Sequence, residues 1–276
     1  MSADALALGA GFAANRARGA VAFDVHLVEG RTRRRRLHES GSLRVRFPAP
    51  EDDGLTAMFV NTAGGAAGGD RFDIDVTAGE GTRLTMTTAA AEKVYRSHGP
   101  AAEINISLKA DAGAHLSWLP QETILFDQAR ATRSIDIDLA ENASLVLCEV
   151  VVFGRTAMGE AMRFGSFIDR WRLRRGARLV FAENVRLDGD IDAQLAKPAV
   201  ANGGLAIGTA LIAPGEEALL ERLRRTAEQA GCEVGVSCWN GFAMVRACAQ
   251  DAAKLRADMT ALLSQSGAML PRMWLN

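Results

Sequence analysis

The stretch Leu119-Pro120-Gln121-Glu122-Thr123-Ile124-Leu125-Phe126-Asp127 sets a polar trio, Gln121-Glu122-Thr123, between two apolar runs, Leu116/Trp118/Leu119 and Ile124/Leu125/Phe126. Such flanks read as a strand in a core. A carboxylate placed there is costly unless it is paired, hydrogen-bonded, protonated or bound to a metal. Asp127 closes the same stretch. Four more acids stand out. Asp70 ends a glycine-rich loop, and Glu92 lies in the dense polar run Thr87–Ser97. Glu149 interrupts the apolar strand Leu145–Phe153, and Glu160 follows the bracketed arginine of Gly154-Arg155. A fixed Arg–carboxylate pair at a strand end is the structural reading of Arg155 and Glu160. Glu92 either bridges to Lys93 or Arg96 at the surface or lines a polar cavity between strands.

Other chemistries find little support. His26, His38, His98 and His115 have neither HxH nor HxxxH spacing. Cys148, Cys232, Cys238 and Cys248 form no CxxC pair, so a preformed His/Cys metal cage is not expected. No Ser–His–acid or Cys–His arrangement is defensible from spacing. Asn61-Thr62-Ala63-Gly64-Gly65-Ala66-Ala67-Gly68-Gly69-Asp70 reads either as an anion-cradling loop or as a tight corner between strands. It lacks the Lys-Ser/Thr ending of a phosphate loop, and a strand follows it instead of a helix. Gly9-Ala10-Gly11 mimics a dinucleotide fingerprint but has no strand before it.

The elements that must position these residues are mostly strands. Phe72–Val76, Ile104–Leu108 and Ile135–Leu139 alternate with period 2, and a looser fourth strand runs through Ile168, Trp171 and Leu173. Each is followed by a turn and a second strand reaching Leu84, Leu116, Leu145 and Leu179, positions 32, 29 and 34 residues apart. A unit recurring about every 30 residues reads as stacked strand pairs that bury their faces against neighbours. The expected fold is therefore mainly β: an elongated, stacked-strand, β-solenoid-like body over residues 21–210, after a flexible stretch 1–20. Residues 211–276 read as a helix–hairpin–helix portion with a tail. Pro214-Gly215-Glu216-Glu217 opens the first helix and Gly231 stops it. Asn240-Gly241 turns the hairpin, and a second helix spans about Asp251 to Leu263. Lys197–Gly204 is the candidate hinge.

Composition adds limits. The chain has 276 residues, 48% hydrophobic and 24% charged, enough for one large domain or two ordinary ones. A net charge of −1 provides no global field for nucleic acid or an anionic membrane. Arg33-Arg34-Arg35-Arg36 is short and free of interleaved aromatics, which fits a solvated or protein-contacting face better than a nucleic-acid site. No run is apolar enough for a membrane span, and no secretion signal precedes the first strand. Reduced thiols in a cytoplasmic protein are the expectation.

Several pieces recur together in a known order. Leu43-Arg44-Val45, Asn61…Gly68-Gly69-Asp70, Thr87-Thr88 with Lys93-Val94-Tyr95-Arg96-Ser97, Leu119–Phe126, Gly154-Arg155…Gly159-Glu160 and Pro271-Arg272-Met273-Trp274 resemble the urease accessory protein UreD (UreH) family over nearly the whole chain. The resemblance implies a cytoplasmic assembly factor, not an enzyme. Such a factor binds the urease apoprotein together with UreF and the GTPase UreG, and helps insert nickel. It implies no tightly bound cofactor, only transient nickel, thought to travel through an internal water-filled passage. The motif residues Gly68, Gly69, Lys93, Tyr95, Arg96 and Arg155 would be structural. Asp70, Glu92, Glu122, Asp127, Glu149 and Glu160 would be oxygen ligands or linings of the passage, or salt bridges. Weak, exchangeable oxygen ligands suit transport better than a closed cage.

One departure stands inside the glycine loop. Family members often carry Asn-Pro-Gly-Gly-Gly where this chain has Asn61-Thr62-Ala63-Gly64-Gly65, and loss of the proline is expected to loosen the corner. Two other readings remain. A β-solenoid glycoside hydrolase or lyase would pair acids such as Glu122 and Asp127 in an open cleft, although 6% aromatics and a single tyrosine leave few stacking platforms. A pure interaction module would carry no metal at all.

Overall fold

The spacing of Leu84, Leu116 and Leu145 is realised as register: Leu84 pairs with Leu116, and Leu116 with Leu145, on adjacent parallel strands. The computed structural model describes residues 16–50 and 52–275. Residues 1–15 of the stretch expected to be flexible lie outside the described residues, while Arg18–Ala20 already belong to the first strand.

Two sheets face each other. The first has the order β14 (Arg178–Asp190), β13 (Phe164–Arg175), β11 (Arg130–Leu139), β8 (Ala102–Ala110), β5 (Arg71–Ala78), β1 (Arg18–Val28) and β2 (Arg31–Gly41). The second has the order β16 (Glu233–Trp239), β17 (Phe242–Ala249), β15 (Ala206–Ala213), β12 (Ser144–Phe153), β9 (His115–Trp118), β6 (Arg83–Thr88), β4 (Leu55–Asn61) and β3 (Leu43–Arg46). Strands β1, β5, β8, β11 and β13 are parallel, as are β4, β6, β9 and β12. Each coil thus lays one strand in each sheet. Two short strands, β7 (Glu92–Val94) and β10 (Thr123–Leu125), add a parallel side ladder that ends on Val151–Phe153 of β12. The family-motif run Thr123–Phe126 is therefore the bend of a coil.

The fourth repeat ends the stack. Gly176 and Ala177 both have positive φ, 52° and 66°, between the paired residues Arg175 and Arg178. Two consecutive left-handed residues make a tight hairpin turn, so β14 returns antiparallel within the first sheet. The corners at Gly81 and Gly113 have one such residue each, and there the chain crosses to the second sheet. Leu179 therefore does not stack on Leu145; it is 50% exposed.

Strand β12 explains its own sequence. Leu145, Leu147, Val151 and Phe153 join the core between the sheets, while Val146, Cys148, Val150 and Val152 face a second core under the helices. A strand buried on both faces reads as a continuous apolar run. The inner phase of that alternation leaves Glu149 pointing between the sheets.

The C-terminal helices pack on this outer core: α2 (Glu217–Ala227) through Leu219 and Leu223, α3 (Ala252–Ser264) through Leu255, Met259, Leu262 and Leu263, and α4 (Arg272–Leu275) through Trp274. A short α1 (Ile191–Leu195) precedes them, capped by the Asp190 side chain. Helix α2 stops before Gly231 because its end tightens: Gln229 and Ala230 donate three residues back, to Thr226 and Ala227. Asn240-Gly241 makes the expected hairpin, with φ of 49° and 78°. Strand β15 sits between β12 and β17, so the C-terminal hairpin continues the sheet of the body. Arg33–Arg36 lie exposed on β2, at the edge of the first sheet, where charge blocks further strand addition.

Candidate functional site

Three inward-facing charges meet between the sheets. In the first sheet Arg133 of β11 is directly paired with Asp169 of β13, and both occupy positions where their neighbours put apolar side chains. From the second sheet Glu149 reaches across to them. Arg133 Nε and Nη2 donate to the two Asp169 carboxylate oxygens at 3.0 and 2.6 Å, and Arg133 Nη1 donates to Glu149. Trp118 Nε1 donates to the other Glu149 oxygen at 2.7 Å. Thr123 Oγ1 lies 3.4 Å from Arg133 Nη1. The Arg133 and Glu149 side chains are each 3% exposed. Burial raises the Glu149 pKa, opposed by the Arg133 charge and the Trp118 hydrogen bond. Burial opposes the Arg133 charge as well, but Asp169 and Glu149 override it and raise its pKa. Breaking such a pair leaves a buried charge alone, at a cost of about 3–5 kcal/mol.

Cavities lie on both sides of this triad. One, of about 430 Å³, is lined by apolar residues of both sheets, including Phe59, Ile106 and Trp118; Glu92, Lys93 and the Gly64-Gly65 turn also border it, as do Arg133 and Glu149. A second, of about 20 Å³, shares Arg133 and Glu149 with the first and adds Asp169, Trp171, Glu183 and Thr209. A third, of about 490 Å³, shares Glu183, Val185, Ile207 and Thr209 with the second and widens toward Arg246 and Pro198–Val200. The three therefore lie next to one another and share wall residues, with the charged triad beside the smallest.

Glu92 borders the first cavity. Both its oxygens accept from Asn61 Nδ2, at 3.1 and 3.2 Å. Burial pushes its pKa up to about 7, and the Asn61 amide restrains the rise. Its carboxylate makes no ion pair with Lys93 or Arg96 and faces a largely apolar cavity.

Among the described residues, no three His, Cys, Asp or Glu side chains are grouped as a ready metal cage. No helix among them is long and apolar enough to cross a membrane.

Comparison with known proteins gives the frame for this geometry. Residues 16–275 match the family model described as UreD urease accessory protein. The chain belongs to the UreD urease accessory protein family. It is 71% identical to a urease accessory protein UreD of Bradyrhizobium diazoefficiens, over 96% of both chains. It is 70% identical to a protein of the same name from Rhodopseudomonas palustris, over 96% of this chain and 93% of that one. A UreD 1 from a Bradyrhizobium species is 69% identical over 96% of both. Relatives named as accessory proteins imply a non-catalytic role.

The UreD motif residues take defined places. Glu122 does not border the cavity, although Pro120, Gln121 and Thr123 do. Its carboxylate accepts from Arg256 Nη1 at 2.5 Å. Arg256 also stacks 4.9 Å from the Trp274 ring and donates to Met273 O. Trp274 Nε1 donates to Leu119 O at 2.9 Å. Two UreD motifs 155 residues apart in sequence, the Leu119 stretch and the tail, are thereby one contact.

The remaining acids have structural partners. Asp70 accepts from Ala17 N at 2.8 Å and Ala67 N at 2.7 Å, closing the glycine loop and fixing the start of β1. Asp127 accepts from Arg163 N and Phe164 N at 2.8 and 3.1 Å. Glu160 takes both ends of the Arg155 fork, at 2.6 and 3.1 Å, and Arg155 stacks 4.3 Å over Phe126. The pair of acids posited for a hydrolase, Glu122 and Asp127, is thus held separately by an arginine and by backbone amides.

The glycine loop is a corner. A Cβ on Gly68 would fall 1.9 Å from Ser97 Oγ, and Gly69 has φ of 86°. A Cβ on Gly65 would fall 2.5 Å from the Tyr95 ring, whose hydroxyl donates to Gly64 O at 2.8 Å. Tyr95 in turn meets Phe126 edge-on at 5.2 Å. Arg96, exposed, bridges its backbone to Ala129. The corner is not loosened by the missing proline. Thr62 donates to Ser42 O from both its N–H, at 2.8 Å, and its hydroxyl, at 2.9 Å, and a proline could do neither.

Arg133, Asp169 and Glu183 are absent from the acids and bases singled out by sequence. The signal was there for two of them. Ala131-x-Arg133-x-Ile135-x-Ile137 and Phe167-x-Asp169-x-Trp171-x-Leu173 each carry one charge on the buried phase of an alternating strand.

Proposed function

We propose that this chain acts in urease maturation as a scaffold with UreF and UreG on the urease apoprotein, in the cytoplasm, and that nickel is carried through the neighbouring cavities between its sheets. The observation that carries this reading is the line of three cavities bordered by Glu92, Glu149, Asp169 and Glu183. Carboxylate oxygens spaced along a route hold a divalent cation weakly and release it, as transport requires. Nickel is cargo here, and the chain needs no resident cofactor. Asp70, Glu122, Asp127 and Glu160 act as framework, through the partners just described. The test is Ala89→Trp, which fills the wide cavity from a half-buried position on its wall. In a urease activation assay with the accessory proteins present, the variant should lower nickel loading at least tenfold while still co-purifying with its partners. Full loading would remove the route and leave a scaffold that acts through its surfaces alone.

A further inference from the structure

The triad Arg133–Glu149–Asp169 borders the smallest of the cavities with a cation that belongs to the protein. Two carboxylates from opposite sheets converge on one guanidinium, and among the described residues the guanidinium is the only positive group bordering the small cavity. Two polar atoms there have no partner among the described residues: Trp171 Nε1, on a side chain 3% exposed, and Glu183 Oε2. Glu183 spends its other oxygen on Arg246 at 2.7 Å. The site is therefore built for more positive charge and for more hydrogen-bonding partners than the protein brings to it, and about 20 Å³ accommodates one water-sized ligand.

We propose that Arg133 is a tethered stand-in for the travelling cation: it holds Glu149 and Asp169 in place and is displaced from them by a divalent metal that has shed most of its water. This rests on the proposed route. An arginine cannot leave by losing its proton, so the exchange swaps one cation for another, and no carboxylate is left bare. The displaced guanidinium has somewhere to go, because Arg133 also borders the 430 Å³ cavity. Glu149 and Asp169 become oxygen ligands, and a bridging water accepts from Trp171. The same arrangement keeps the route shut when no metal is present.

The exchange is read without urease, by equilibrium dialysis of the full chain, with its partners where solubility requires them, against nickel chloride. Arg133→Gln, checked for folding by circular dichroism, should hold that nickel at least tenfold more tightly than wild type. The triple variant Arg133→Gln/Glu149→Gln/Asp169→Asn should lose that nickel. A folded Arg133→Gln chain that binds nickel no more tightly than wild type overturns the proposal. The wild-type fold supplies a second readout. Nickel should quench the Trp118 and Trp171 fluorescence, and Glu149→Gln, which still accepts from Trp118, should weaken the quenching at least tenfold in nickel concentration. Equal quenching in both also overturns it. Tighter nickel binding by Arg133→Gln together with full urease activation by Ala89→Trp would keep the exchange site and remove the route.

Discussion

A carboxylate between two sheets is held by what faces it, and the acids of this chain fall into two kinds on that criterion. Asp70 and Asp127 accept backbone N–H groups, and Glu122 and Glu160 accept arginine donors. Glu92 and Glu149 also border the wide cavity, Glu149 while accepting from Arg133 and Trp118. Glu92 accepts from the Asn61 amide and has no cationic partner among the described residues, and burial raises its pKa to about 7. A raised carboxyl costs the folded state most where the unfolded chain is ionised. The cost is absent below the ordinary value of 4.5 and complete above about 7. Glu92→Gln should therefore stabilise the chain at pH 8 by up to about 3 kcal/mol and leave it unchanged at pH 4. Urea unfolding at the two pH values measures the difference; equal effects at both would show that Glu92 ionises freely. Metal held by Glu92 would likewise gain affinity as pH rises through 7, since metal and proton compete for the same oxygens.

Among the elements, the coil repeat divides into three turns that stack and one that does not. Leu84, Leu116 and Leu145 lie in line on parallel strands and are at most 1% exposed. Leu179 occupies the matching place in sequence but lies on a hairpin arm in the other sheet. Leu116→Ala should cost about 2–5 kcal/mol of stability. Leu179→Ala should stay within about 0.5 kcal/mol of wild type. Denaturant midpoints for the two variants check both values, and a large loss at Leu179 would mean that its exposed face is covered by something else. The two-residue turn Gly176-Ala177 reads as one more coil corner because it resembles the others in composition; only its paired positive φ values separate it.

At the scale of the molecule, the tail closes on the centre of the chain. Trp274 is 2% exposed, caps Leu119 O and lies against Arg256, which in turn holds Glu122. Trp274→Ala removes a buried indole and leaves a carbonyl without its donor, so it should cost about 3–5 kcal/mol. Because Pro120 and Gln121 border the wide cavity, the same variant should also speed amide exchange at residues 119–123, measured by mass spectrometry. Loss of stability with unchanged exchange there would separate the tail from the cavity wall.

The stacked-strand body, the C-terminal helix–hairpin–helix and the family were legible from residues alone. Period-2 alternation, turn chemistry at Asn240-Gly241 and long shared motifs are local signals, and they survive without knowledge of what packs on what. The tail and the Leu119 stretch were both recognisable, but their contact was not. The same holds for the triad. Arg133, Glu149 and Asp169 each look like one misplaced charge in an apolar strand, and a charge on the buried phase says only that a partner must exist. Which partner depends on the register of β11 against β13 and on the packing of one sheet over the other. Both are set by contacts between residues 16–36 positions apart. The acids that meet at the narrow part of the cavities were decided by tertiary structure, because a buried charge is satisfied across space and its spacing along the chain carries no record of that.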